Sequence, residues 1–270
     1  MKNLKLIQFI VVIYTFLLTS CTDHSAQPIQ AKQYVLVHGA WQAPYAWESV
    51  KSGLESQGNK VVIVELPGHG NDQTPPEKIT LDTYKEKVIA ALSAMDGKVI
   101  LAGHSLGGMI ISSVAESVPG KIEKLVYIAA YLPASGQTLD QLAHTDADSQ
   151  LGADGTLIFN KDGVTVDVKQ DRIVDLFIQD GTPEIQNLVL KNYRTEPLIP
   201  FINPVTLTDK NFGSVEKVYI KTLQDHVISP SLQNSMIMAN GVKTVYEINS
   251  GHSPFLSKPD LLTALLIGIK

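Results

Sequence analysis

A serine stands between two glycines in Gly103-His104-Ser105-Leu106-Gly107, after the apolar run 99–102 and before a helix-forming stretch. A chain that turns so abruptly from strand to helix holds Ser105 in a strained conformation, and Gly103 and Gly107 leave room where the two backbones cross. The hydroxyl is then presented at the carboxyl edge of a sheet. Amide groups at the start of the new helix face the same space, so a tetrahedral oxyanion formed beside Ser105 meets donors already in place. That arrangement suits acyl transfer. A serine hydroxyl also needs a base, ordinarily an imidazole oriented by a carboxylate.

His252, in Asn249-Ser250-Gly251-His252-Ser253-Pro254, and Asp225, in Gln224-Asp225-His226, each follow a strand-like run. With Ser105 they stand in the order serine, acid, histidine. His69, His104 and His226 compete for the base and Asp209 and Glu247 for the acid. His69 reads as a turn residue, His104 follows the strand inside the elbow, His226 neighbours the acid, and Glu247 falls within a strand. The second oxyanion donor belongs to the loop after the first strand, where the N–H of Ala40 is chosen to stand beside that of Leu106. Trp41, Tyr131 and Phe255 adjoin these motifs, as lining of an apolar pocket or as core. No set of histidines and carboxylates has metal-ligand spacing.

The elements that must bring these residues together are legible as pattern. Apolar runs at 34–37, 61–64, 99–102, 124–129, 217–220 and 244–248 predict strands, and stretches at 46–56, 80–95, 109–118, 231–239 and 260–269 predict helices between them. Such alternation argues for an α/β fold, a mostly parallel sheet with helices on both faces that takes its ligand at the strands' carboxyl ends. From Leu132 the rhythm breaks. Residues 156–159 and 164–168, joined across Asn160-Lys161-Asp162-Gly163, predict a hairpin, and helical stretches follow near 171–178 and 183–191. This insertion, about 133–211, sits where a cap would.

The 270 residues, 44% of them hydrophobic, suffice for one domain with a sizeable core. A formal net charge of -5 weighs against a nucleic-acid partner. Residues 1–20 carry Lys2 and Lys5, no acid, and an apolar run too short to span a bilayer, which together predict a secretion signal. The run ends Leu18-Thr19-Ser20-Cys21, which resembles the lipobox of bacterial lipoproteins, whose cysteine is acylated. Cys21, the single cysteine, is the expected lipid attachment point, residues 21–32 a flexible tether and 33–270 the folded domain. The expected location is outside the cytoplasm, lipid-anchored to a bacterial membrane.

Four stretches carry a resemblance that covers the chain from about Tyr34 onward. They are Tyr34-Val35-Leu36-Val37-His38-Gly39-Ala40-Trp41, Gly103-His104-Ser105-Leu106-Gly107-Gly108, residues 212–220 with Asp225, and Gly251-His252. The chain resembles an α/β-hydrolase of the plant methylesterase and hydroxynitrile lyase type, together with bacterial carboxylesterases of the pyrethroid-esterase type. The resemblance implies Ser105, Asp225 and His252 as a triad, Ala40 and Leu106 as oxyanion donors, and a cap over the site. It also implies a serine carboxylesterase that hydrolyses small, largely apolar esters through an acyl-enzyme without a cofactor. Lyase members carry a threonine after the first-strand histidine and a lysine straight after the catalytic histidine. Gly39 and Ser253 stand there, so ester hydrolysis is the expectation. Lyase chemistry, hydrolysis of lactones, thioesters or amides, and ligand binding on a vestigial site are the alternatives.

Overall fold

Six of the apolar runs pair into one parallel sheet in the computed structural model, which describes residues 31–270. The leader, Cys21 and most of the tether lie outside the described residues. In chain order the elements are β1 (Gln33–Val37), α1 (Glu48–Glu55), β2 (Lys60–Val64), α2 (Leu81–Ser93), β3 (Val99–Ser105), α3 (Gly107–Ser117) and β4 (Ile122–Ala130). A cap follows with α4 (Leu139–His144), β5 (Leu157–Phe159), β6 (Thr165–Val168), α5 (Ile173–Phe177), α6 (Pro183–Asn192), β7 (Glu196–Pro197) and α7 (Ile199–Ile202). The chain then returns to the sheet with β8 (Glu216–Thr222), α8 (Pro230–Ala239), β9 (Thr244–Ile248), α9 (Pro254–Ser257) and α10 (Pro259–Gly268).

The sheet order is β2-β1-β3-β4-β8-β9, and helices flank it, α1 packing with α10 and α2 with α3. Strands covered on both faces read as continuous apolar runs, and every residue of β3 is buried. At the edge, β9 alternates instead, with Val245 and Glu247 exposed. Thr80 caps α2: its side chain accepts from Thr83 N at 3.2 Å while Thr83 Oγ1 accepts from Thr80 N at 2.9 Å.

The helix after the elbow begins at Gly107, two residues before the predicted start, and so includes two glycines that local propensity disfavours. Crossing distances explain it. A Cβ on Gly103 would lie 2.6 Å from the Gly107 carbonyl oxygen, one on Gly107 would lie 3.0 Å from that of Val37, and one on Gly108 would overlap that of Tyr131. The close approach of α3 to the ends of β1, β3 and β4 leaves no space for a side chain.

In the cap, β5 and β6 form the expected antiparallel hairpin, with Leu157 opposite Val168 and Phe159 opposite Val166. A third strand, β7, joins β6 through Thr165–Pro197 and Val166–Glu196 pairs. Two residues carry no periodicity, so the sequence does not announce β7. The returning segment is tied to α3 by the Glu116 carboxylate, which accepts from Thr208 N and Thr208 Oγ1 at 2.8 Å each and from Phe212 N at 3.2 Å.

Gly108→Ala is expected to lower stability by about 3 kcal/mol through backbone overpacking. Gly120→Ala, whose added methyl group would meet nothing within 4 Å, should be near neutral. Urea midpoints at unchanged slope check both; equal midpoints would contradict the crossing as the source of the glycine requirement.

Candidate active site

The turn from β3 into α3 places Ser105 at φ 52°, a left-handed conformation that a non-glycine residue holds only when its surroundings enforce it. Its carbonyl accepts from Tyr131 N at 3.1 Å. Register shifts beside it: His104 pairs with Ile128 but Ser105 with Ala130, so Ala129 bulges, at φ 44°. Tyr219 steadies that bulge, its hydroxyl donating to Ala130 O at 2.6 Å and accepting from Ala130 N at 3.1 Å.

Asp225 and His252 arrive from the ends of β8 and β9. His252 Nδ1 donates to Asp225 Oδ2 at 2.9 Å, with both residues buried. The same oxygen accepts from Thr222 Oγ1 at 2.8 Å and Gln233 Nε2 at 3.3 Å, and Oδ1 accepts from Val227 N at 2.8 Å and Ile228 N at 3.0 Å. Five donors leave this carboxylate one orientation. They also commit His252 Nδ1 and leave Nε2 for a proton transfer. The loop carrying His252 is tied to the elbow itself, since His104 Nε2 donates to the His252 carbonyl at 2.9 Å and the two rings lie 4.5 Å apart. Ser105 lines the cavity and makes no side-chain hydrogen bond to another described residue. Catalytic hydrogen bonds are commonly loose before substrate binds.

Ala40 and Leu106 line the same cavity as Ser105, and neither amide donates to another described residue. The loop of Ala40 presses against Ser105: a Cβ on Gly39 would lie 2.7 Å from Ser105 Cβ. The next amide is engaged, Trp41 N donating to Glu196 Oε2 at 2.8 Å, which leaves Ala40 as the free donor of the pair.

Of the rival histidines and acids, His226 pairs with Asp175 at 3.2 Å, Glu247 pairs with Lys221 at 2.8 Å on the sheet edge, and Asp209 is exposed. None touches the Asp225–His252 pair. His69 does lie in a turn, but its side chain is buried against Glu196, Nε2 donating to Oε2 at 2.8 Å while Nδ1 donates to Pro67 O at 3.0 Å. With acceptors on both nitrogens the ring is an imidazolium. Burial alone would depress it, but the Glu196 charge and hydrogen bond and the Pro67 carbonyl hold it above its ordinary range.

Pattern reading missed Gln233, Thr222 and Glu196. Glu196 had a signal: it is the single charge in the otherwise apolar stretch 196–202. Gln233 had none, being one polar residue on a helix that is buried on that side. Trp41 and Tyr131 line the cavity, whereas Phe255 is core, 4.5 Å from the Trp47 ring and 4.6 Å from His104. The cavity holds about 60 Å³ and is walled mainly by cap residues, among them Leu139, Leu157, Val166, Leu198 and Phe201.

The chain matches the alpha/beta hydrolase family over residues 34–265. It belongs to that family. The chain is 31% identical over 251 residues to putative methylesterase 11, chloroplastic, of Arabidopsis thaliana, a match covering 89% of this chain and 64% of that protein. The chain therefore spans under two thirds of the length of that relative. To methylesterase 7 of Arabidopsis thaliana it is 31% identical over 263 residues, covering 88% of this chain and 96% of that one. Among solved structures it is similar to polyneuridine aldehyde esterase, with TM-score 0.79, 26% identity, and coverage of 89% of this chain and 99% of that one.

Two further histidines of the hydrolase sit neutral beneath the site. Burial, reinforced by the neighbouring His69, holds His38 down from 6.5 to about 3, and burial, reinforced by the neighbouring His252, holds His104 well below its ordinary value. A depressed folded value means that the unfolded chain takes up protons first as pH falls, so stability is complete above the ordinary imidazole range and is lost below it. His69, shifted the other way, contributes fully in acid and loses its contribution as pH rises through its raised value. Between neutrality and about pH 4.5, His38 alone is expected to remove about 2–3 kcal/mol, with His104 adding to the loss. Urea midpoints across that window measure it, and a flat profile would contradict the neutral pair.

Proposed function

We propose that this hydrolase is a serine carboxylesterase for small, largely apolar carboxylic esters. Ser105 attacks the ester carbonyl carbon while His252 Nε2 takes its proton, and the amides of Ala40 and Leu106 hold the oxyanion of the tetrahedral intermediate. The intermediate collapses as His252 passes the proton to the departing alkoxide, leaving the acyl group on Ser105. Water, deprotonated by His252, then attacks the acyl carbon, and the carboxylic acid leaves with Ser105 restored. Asp225 keeps the ring in the tautomer with Nε2 free and stabilises the imidazolium that forms with each tetrahedral intermediate.

One observation carries this function: the Asp225–His252 pair at 2.9 Å, its loop bonded to the residue before a serine at φ 52° that faces the apolar cavity. The lining of leucine, valine and phenylalanine supports an apolar acyl or alcohol group, and the methylesterase names of two relatives support an ester with a small alcohol. Cyanohydrin cleavage is disfavoured by the two positions where the lyases differ. At Gly39 even a methyl would lie 2.7 Å from Ser105 Cβ and 2.8 Å from His104 Nδ1, and Ser253 is buried, accepting from Gln42 Nε2 at 3.0 Å.

A fluorophosphonate probe is expected to label Ser105 in the wild type and nothing in Ser105→Ala, which should also lose the burst with p-nitrophenyl acetate. Asp225→Asn should lower kcat by about 10³–10⁴-fold with unchanged circular dichroism. An unlabelled wild type would instead favour a ligand-binding protein on the hydrolase scaffold. Export and acylation at Cys21 belong to the same proposal and rest on residues 1–21 alone. Cys21→Ser is expected to move the protein from the membrane fraction to the soluble one; an unaltered distribution would remove the anchor.

A further inference from the structure

Trp41 holds a left-handed conformation, φ 58°, immediately after the amide assigned to the oxyanion. A bulky residue there is strained and persists only where its neighbours over-determine it. Those neighbours come from the cap. The Trp41 backbone N–H donates to Glu196 Oε2 of β7 at 2.8 Å, and its indole N–H donates to the Val166 carbonyl of β6 at 3.0 Å. Its ring packs against Phe177 of α5 at 5.5 Å and Phe201 of α7 at 5.7 Å.

Glu196 is itself fixed. It is completely buried, and besides Trp41 it accepts from His69 Nε2 at 2.8 Å and from the Tyr84 hydroxyl of α2 at 3.1 Å. One carboxylate of the cap therefore bonds the loop after β1, the turn after β2 and a helix of the sheet domain. A buried charge without a partner would be expensive; the His69 imidazolium supplies that partner. Ala40 shares a peptide unit with the anchored Trp41 amide, so the direction of that unit sets where the Ala40 segment can point.

We propose that Glu196 is the positioning residue of the oxyanion loop: the cap delivers a carboxylate that locks the Trp41 amide and thereby aims the Ala40 N–H at the cavity beside Ser105. This rests on the serine mechanism proposed above. Glu196 touches no reacting atom and acts through the backbone of residues 40 and 41. A consequence is that the cap contributes to turnover as well as to the cavity wall, because a sheet domain without β7 lacks the acceptor that holds the turn.

The test compares Glu196→Gln with Glu116→Gln, the latter removing a carboxylate that ties the cap to α3 far from the oxyanion loop. Both donors meet the same oxygen, Oε2; an amide oxygen in its place carries no charge to partner the His69 imidazolium and is the weaker acceptor, so its hold on Trp41 N–H loosens. With p-nitrophenyl acetate, Glu196→Gln is expected to lower kcat at least tenfold with KM within twofold. It should weaken a trifluoromethyl ketone, which adds to the serine as an oxyanion, by the same factor, and leave the matching methyl ketone unchanged. Glu116→Gln should lower the Tm and leave kcat and both ketone affinities as in the wild type. Glu196→Asp, which keeps the charge beside His69 but shortens the reach to Trp41, provides the same readout should the glutamine variant not fold. Wild-type kcat and trifluoromethyl ketone affinity in a folded Glu196 variant, or equal weakening of both ketones, would overturn the assignment. Fluorophosphonate labelling of the wild type separates the two proposals. No labelling removes the serine mechanism and this role with it, whereas a labelled wild type with an unaffected Glu196 variant removes this role alone.

Discussion

The close crossing of β3 and α3 is the constraint on which the rest depends. Glycine at 103, 107 and 108 lets the helix backbone lie against the ends of three strands, and the chain can make that passage only by putting Ser105 into the left-handed region. Strain at this residue is maintained because the surroundings are close-packed: Tyr131 N holds its carbonyl, the Ala129 bulge takes up the register, and Tyr219 pins the bulge. The hydroxyl and the first amide of the helix then share one small cavity. Nothing in the side chain of Ser105 itself distinguishes it from any other serine. Its backbone does.

Around this crossing two carboxylates, Asp225 and Glu196, are buried without being left unpaired. Asp225 is solvated by five protein donors instead of water. His104 and His38 are kept neutral by burial, and the neutral form of His104 is the one that can donate through Nε2 while Nδ1 stays unprotonated. Glu196 and His69 are charged as a pair. His104 Nδ1 has no partner among the described residues, but the bonds that are made give Asp225, His252 and Glu196 one orientation each. Rigidity at the site is thus an outcome of hydrogen-bond accounting in the second layer, where Gln233, Thr222, Tyr219 and Glu196 sit.

The cap is built differently from the sheet domain, from short helices and a three-stranded antiparallel sheet, yet it supplies most of the cavity wall and both hydrogen bonds that clamp Trp41. The cavity wall and the Ser105 turn therefore come from two parts of one chain that meet at the loop after β1.

How much of this was legible in the sequence follows from the range of the forces involved. Strands buried on both faces must be apolar, helices against a sheet must be amphipathic, and a strand-to-helix turn this tight must be glycine-flanked, so the alternating elements, the elbow at Ser105 and the loops of Asp225 and His252 show as local pattern. The sequence by itself determined the parallel α/β architecture and the residue types available for chemistry. Tertiary structure decided which of them meet: that His252 rather than His226 faces Asp225, that Phe255 is core while Trp41 lines the cavity, that β7 exists at all, and that Glu196 reaches the loop after β1. These are contacts between side chains separated by tens to more than a hundred residues, selected by which donors and acceptors burial forces together. No periodicity within a window of residues records them.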